Sequence, residues 1–194
     1  MNHWEPWQGE DYRDNRLLLL GESAYSWDDP VRGRVDPSPT HSVEMIEEAV
    51  GGKLHRFTGM LTRALAGCCE PTGEQITAAW AKAAFTNYVP GTVGLGREAR
   101  PKKEHWNKAR EAFPQLLAEL APQTIIVLGK TMWSMMPDTQ FYVTDLVQAY
   151  KLPDGGRAMC WAVDHPARGL SWEKLARVIA FAHRGELLPW GDSQ

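Results

Sequence analysis

Along the 194-residue chain, four short runs are apolar at nearly every position rather than at alternate ones: RLLLLG (residues 16–21), AAFTNYV (83–89), TIIVLG (124–129) and AMCWAV (158–163). A strand covered on both faces, as in a parallel sheet, reads this way, whereas a strand with one wet face alternates. Between the first two runs, Val43, Ile46, Ala49 and Val50, then Phe57, Met60, Leu61, Ala64 and Leu65, recur at helical spacing and predict two helices. Between the second and third, PKKEHWNKAREAFPQLLAELAP places Trp106, Ala109, Phe113, Leu116, Leu117 and Leu120 on one stripe opened by Pro101. Pro114 lies inside that stripe, lacks an amide donor and predicts a kink. After the last run, Leu170, Trp172, Leu175, Val178, Ile179 and Ala182 predict a terminal helix capped by Ser171. Strand and helix alternate, so the expected fold class is α/β: three layers, α/β/α, around a central, mainly parallel four-stranded sheet, in one domain over residues 1–194. WDDPVRGRVDPSPT is the most loop-like segment, and the glycines of PGTVGLG have the wrong spacing for a dinucleotide fingerprint and predict a mobile loop.

In open parallel sheets, ligands gather outside the carboxyl ends of the strands. Those ends read Glu22-Ser23-Ala24-Tyr25, Asn87-Tyr88-Val89-Pro90, Gly129-Lys130 and Asp164-His165-Pro166. Taken singly, each polar residue has an ordinary structural explanation: Glu22 as a helix cap, Asn87 as a turn residue, His165 as a satisfied loop residue. Taken together, a carboxylate, an amide and an imidazole on one rim favour a site. The net charge of -3 marks no general polyanion binder, so nucleic-acid contact would rest on a local basic patch. Arg97, Arg100, Lys102 and Lys103 form one such cluster, readable as phosphate contacts or as a solvated helix start. Cys68, Cys69 and Cys160 are too few and wrongly spaced for a zinc or iron–sulfur framework, so no metal is expected, and they predict a reducing, cytoplasmic setting. The start of the chain, MNHWEPWQGEDYRDNR, has no apolar signal-peptide core, and the leucine run is too short to span a bilayer. No membrane association, cofactor or obligatory protein partner is expected.

The order of these motifs resembles the uracil-DNA glycosylase superfamily: Gly21-Glu22-Ser23-Ala24-Tyr25 after the first strand, Thr86-Asn87-Tyr88-Val89 after the second, a Pro-opened helix leading into the Ile-Val-x-Leu-Gly strand, and His165-Pro166 after the fourth. The similarity runs from about Arg16 to the terminal helix, and Pro114 stands where the superfamily's thermostable branch commonly has a proline. It implies a monofunctional DNA glycosylase whose partner is DNA and which needs no cofactor. Such an enzyme must extract its nucleotide from the duplex, because the bond between sugar and base is unreachable inside the stack. Cleavage develops positive charge on the sugar and negative charge on the base. By the resemblance, Glu22 would stabilise the sugar cation and orient or deprotonate water, and His165 would donate toward the base carbonyl. Asn87 would read the pyrimidine edge, with Ser23 beside it, and Tyr25 would line the pocket near carbon-5, pure aromatic packing being its alternative.

The departures matter as well. Ala24 stands where the first motif usually has proline, and Ala167 where serine is expected after His165-Pro166, which implies a missing phosphate contact. The loop HPARGL leaves Arg168 or Leu170 to wedge into the vacated stack, and Arg100, Lys102 and Lys103 to hold phosphates. Gly-Glu-Ser-x-Tyr with Asn-Tyr-Val resembles an unusual bacterial branch, and the superfamily includes members that attack hypermodified pyrimidines of phage DNA. The leading reading is therefore a glycosylase for a bulky modified pyrimidine, such as a glucosylated hydroxymethylcytosine, acting in antiviral defence. Tyr25 opposes it, since an aromatic beside carbon-5 excludes substituents. A repair glycosylase for uracil or a deaminated base, and a silent module that recognises a flipped base without cutting it, are the alternatives. The long loop after Trp27 and the tryptophans near the start of the chain are placed either to reshape the pocket or only to cover the core.

Overall fold

All four apolar runs become strands in the structure, a computed structural model that describes residues 4–139, 141–166 and 168–184. In chain order its elements are β1 (Trp7–Gln8), α1 (Tyr12–Asn15), β2 (Leu17–Gly21), β3 (Ala24–Asp29), β4 (Gly33–Val35), α2 (His41–Val50), α3 (Arg56–Ala66), α4 (Gly73–Ala81), β5 (Ala83–Asn87), β6 (Thr92–Leu95), α5 (Lys103–Leu120), β7 (Thr124–Leu128), α6 (Lys130–Trp133), β8 (Phe141–Thr144), β9 (Val147–Lys151), β10 (Arg157–Val163) and α7 (Trp172–Arg184).

The four runs are β2, β5, β7 and β10, and they lie side by side, mutually parallel, in the order β5-β2-β7-β10. The expected four-stranded sheet is nevertheless incomplete: the sheet is seven-stranded and mixed, with β1 added antiparallel at one edge and β9 and β8 at the other. None of the three added strands carries a covered apolar run. β1 has two residues, β9 interrupts its apolar positions with Gln148, and β8 leaves Phe141, Tyr142 and Val143 exposed.

Alternate leucines of β2 feed two cores. Leu18 and Leu20 join Ile125 and Val127 beneath Trp106, Phe113 and Leu116 of α5, while Leu17 and Leu19 pack with Ile46, Leu61, Trp80, Leu175 and Ile179 from α2, α3, α4 and α7. None of the four leucines is more than 2% exposed. Burial of each contributes roughly 1.5–3 kcal/mol, which is why the strand is central rather than at an edge. The result is a helix layer on each side of the sheet.

Two expectations are corrected, the number of helices before β5 and the reading of the loop-like segments. A third helix, α4, precedes β5, and its start is a capping box in which Thr72 Oγ1 accepts from Gln75 N at 3.3 Å and Thr72 N donates to Gln75 Oε1 at 2.8 Å. α5 continues through Pro114 as one helix of 18 residues. The two loop-like segments hold strands: β3 and β4 form a hairpin with Trp27 opposite Val35, its turn fixed by Val31 N and Arg32 N donating to Asp29 Oδ1, and β6 pairs parallel with β3. Together they make a second sheet in the order β4-β3-β6. Ser171 caps α7 as expected, accepting from Lys174 N at 3.3 Å. Among the described residues no helix is long and apolar enough to cross a membrane.

Candidate active site

Chain order and strand order together decide where a crevice opens. From β2 the chain crosses to β5 on one side and then returns to β7 on the other, so the carboxyl end of β2 lies at a topological switch point. Glu22 follows β2, Asn87 ends β5 and His165 follows β10, which brings all three to this rim. Backbone pairing continues past the strands: Tyr88 N donates to Gly21 O at 2.8 Å and Val89 N to Glu22 O at 3.0 Å, holding the Glu22 backbone against the Asn87 segment.

Two glycines lie against these side chains, and Gly21 makes room for one of them. A Cβ on Gly21 would stand 2.5 Å from Asn87 Oδ1, so the Asn87 amide lies across the bare backbone of β2. Gly129, at φ +147, would place a Cβ 3.5 Å from His165 Cδ2. Sequence reasoning used both only as strand ends; a glycine closing an otherwise bulky apolar run was the available signal for close approach.

Glu22 is partly buried, and among the described residues its carboxylate has neither a hydrogen bond nor an ion pair. The helix-cap explanation is excluded, because β3 and not a helix follows. Burial raises the Glu22 pKa above the ordinary carboxylate value, and Arg100 and Arg168 oppose that rise. Burial lowers the His165 pKa, and the same two arginines, Arg168 first, lower it further. Carboxylate, imidazole and both guanidinium groups thus share one local field. Beside them, Lys130 Nζ meets Asp164 Oδ1 at 2.9 Å, closing the rim between β7 and β10.

The remaining residues singled out by sequence separate into two groups. Arg168 is exposed, and Arg100 is exposed with Nη1 donating to the carbonyls of Arg97 and Ala99 at 2.7 Å each. Ser23 Oγ is buried with no hydrogen-bond partner among the described residues. Tyr25 is partly buried against the core formed with α5, so its packing role is met. Lys102 and Lys103 are exposed at the start of α5, and neither is among the charges acting on Glu22 or His165. Leu170, at 8% exposure, belongs to the core beneath α7, and Arg168 is the residue of that pair at the surface. Ala167 lies outside the described residues.

A concavity of about 430 Å³ opens elsewhere, between Phe113, Pro114 and Leu117 of α5 and Tyr150 and Leu152 near β9, and no rim residue lines it. Its lining is mainly apolar, with Asp138 and Lys151 as its charged members, and it lacks the carboxylate, amide and imidazole that the rim brings together, so the rim is the better candidate. Among the described residues, no group of three or more His, Cys, Asp or Glu side chains could hold a metal ion. Comparison with protein-family models and with curated proteins finds no match.

Proposed function

We propose that the protein is a DNA glycosylase that takes a flipped, modified pyrimidine at this rim and hydrolyses its N-glycosidic bond. The observation that carries the reading is the partly buried Glu22 carboxylate without a partner, set on one rim with the Asn87 amide and the His165 imidazole. Keeping a desolvated charge unpaired is costly, and a site in which positive charge develops recovers that cost. The bond between sugar carbon-1′ and the base nitrogen breaks with its electron pair leaving on the base. Glu22 faces the developing sugar cation and takes a proton from the water whose oxygen bonds to carbon-1′. His165, held neutral by burial and by Arg168 and Arg100, donates a hydrogen bond to the base oxygen from its protonated ring nitrogen. Asn87 offers both a donor and an acceptor to the base edge.

The substrate we favour is a bulky modified cytosine of phage DNA, with a role in antiviral defence. Ala24 supports it: standing where the resemblance leads one to expect proline, it begins β3, and Tyr25 packs partly buried against the core formed with α5. The test is excision by purified protein on matched DNA carrying uracil, hydroxymethyluracil, hydroxymethylcytosine or its glucosylated form, scored as alkali-labile abasic sites beside Glu22→Gln. Cleavage of modified cytosine alone bears the reading out. Cleavage of uracil moves the protein to repair, and silence on every base with DNA binding intact makes it a non-catalytic module.

A further inference from the structure

The β3–β4 hairpin begins immediately beyond Glu22, and its side chains take no part in the proposed chemistry. Trp27 is 45% exposed on it, a large apolar surface on a segment whose neighbours are polar. Its ring has neighbours: it sits 6.5 Å from the His41 ring at a 33° tilt, and Trp4 meets the same imidazole edge-on at 6.4 Å. Burial keeps His41 below its ordinary pKa, consistent with a neutral ring beside two indoles. An exposed aromatic packed beside another ring offers a flat stacking face at low entropic cost.

The adjacent strand supplies charge of the matching sign. Ser26 pairs with Leu95, and Gly96 N donates to Ser26 O at 2.8 Å, so the segment carrying Arg97, Arg100, Lys102 and Lys103 leaves β6 directly beside Trp27. All four cations are exposed. Of the nearby acidic groups, Asp29 is committed to the hairpin turn and Asp36 to Arg34 and Ser26, while Asp28 and Glu98 are exposed beside the four cations. An aromatic platform next to a basic run is the combination that tracks unpaired nucleic acid, because every base has a π-face and every linkage a negative charge.

Resting on the glycosylase reading, we infer that Trp27 stacks an unpaired base of the DNA strand that enters the site, with the Arg97–Arg100 segment holding that strand's phosphates. Trp27 lies five positions beyond Glu22, a reach of at most about 16 Å for an extended chain, or roughly five stacked nucleotides along one strand. The ligand is therefore single-stranded DNA reaching several nucleotides beyond the reacting one, since a base inside a duplex presents no free face.

The probe is a pair of fluorescein-labelled oligo(dT) strands, of about four and about twelve nucleotides, titrated with the full chain and read by anisotropy. Wild type should bind the longer strand more tightly; Trp27→Ala should lose about ten-fold on the longer strand and little on the shorter, while Trp27→Phe keeps most of the affinity. Arg97→Ala should flatten the dependence of log affinity on log salt by about 0.7. Far-UV circular dichroism verifies that each variant is folded. Equal binding of the longer strand by wild type and Trp27→Ala overturns the inference, as does an equal Trp27 dependence on blunt duplex. Excision that persists with Trp27-independent binding overturns it while leaving the glycosylase reading intact; Trp27-dependent binding of single strands without excision of any base supports it and removes that reading.

Discussion

Beside β2, the two ends of the parallel sheet treat their polar side chains differently, although Lys130 and Asp164 pair farther along the carboxyl rim. At the amino end, Arg16 precedes β2 in a left-handed conformation, and its carbonyl accepts from Gln123 N and Thr124 N at 2.9 and 3.1 Å. Its guanidinium donates to the Ala121 carbonyl and lies 3.7 Å from Asp154, while Tyr12 Oη donates to Leu120 O at 3.2 Å. At the carboxyl end, the Glu22 carboxylate has no partner and Ser23 Oγ none either among the described residues, and Asn87 rests on a glycine. A sheet selected for stability alone satisfies both ends. On the proposed function, the amino end holds the chain and the carboxyl end takes the ligand.

Glu22→Gln should break the contrast most sharply. It keeps the shape and removes the charge, so excision should fall about a thousand-fold. Thermal stability at pH 7 should hold or rise. Because burial raises the Glu22 pKa, the folded state binds that proton more tightly than the unfolded chain, and the ionised carboxylate opposes folding at any pH above the ordinary carboxylate range. The advantage of the variant should therefore vanish in melts below that range. A variant that loses stability at pH 7 and keeps excision would put Glu22 with the structural end.

His165→Ala should slow single-turnover excision about a hundred-fold. Since the His165 pKa is lowered, the neutral ring persists into mildly acidic solution, and the limb of the pH–rate profile that reports its protonation should lie below the ordinary imidazole range. That limb should be absent from the variant; a profile identical to wild type removes His165 from the mechanism. Arg16→Ala tests the opposite end: it orphans the Ala121 carbonyl and should cost about 1–3 kcal/mol in denaturant melts, with excision by the folded fraction unchanged. The smallest expected effect belongs to Asn87→Ala, which should reduce the ratio of rates on modified cytosine and uracil by about ten-fold or less without weakening DNA binding. Equal losses on all substrates would deny it a reading role.

Much of the inner architecture was legible in the sequence because burial on both faces leaves a mark that no other environment leaves. RLLLLG and TIIVLG suited covered strands, and the rule that ligands collect at carboxyl ends then pointed to Glu22, Asn87 and His165. The edge strands left no such mark, since Trp7–Gln8 is too short for any period and β8 keeps its apolar residues in water. The hairpin was hidden by its own turn chemistry: Asp28-Asp29-Pro30 and Gly33 read as loop, although they also make the tight reversal that β3 and β4 need. Thr72 and Gln75 did announce α4, through a capping-box spacing that a search for apolar stripes passes over. What no one-dimensional pattern carries is the field at the rim, where Arg100 and Arg168, far apart in the chain, act on the same two groups.

The position of β2 also sets a schedule for synthesis. Leu17 is hydrogen-bonded between strands whose facing residues are Ala83 and Thr124, so the most apolar segment is made early and acquires its second neighbour only after most of the chain has emerged. A strand that waits so long for distant partners folds slowly and exposes a sticky edge meanwhile. Chaperone dependence during translation, and recovery in refolding that falls as protein concentration rises, are the behaviours this connectivity predicts.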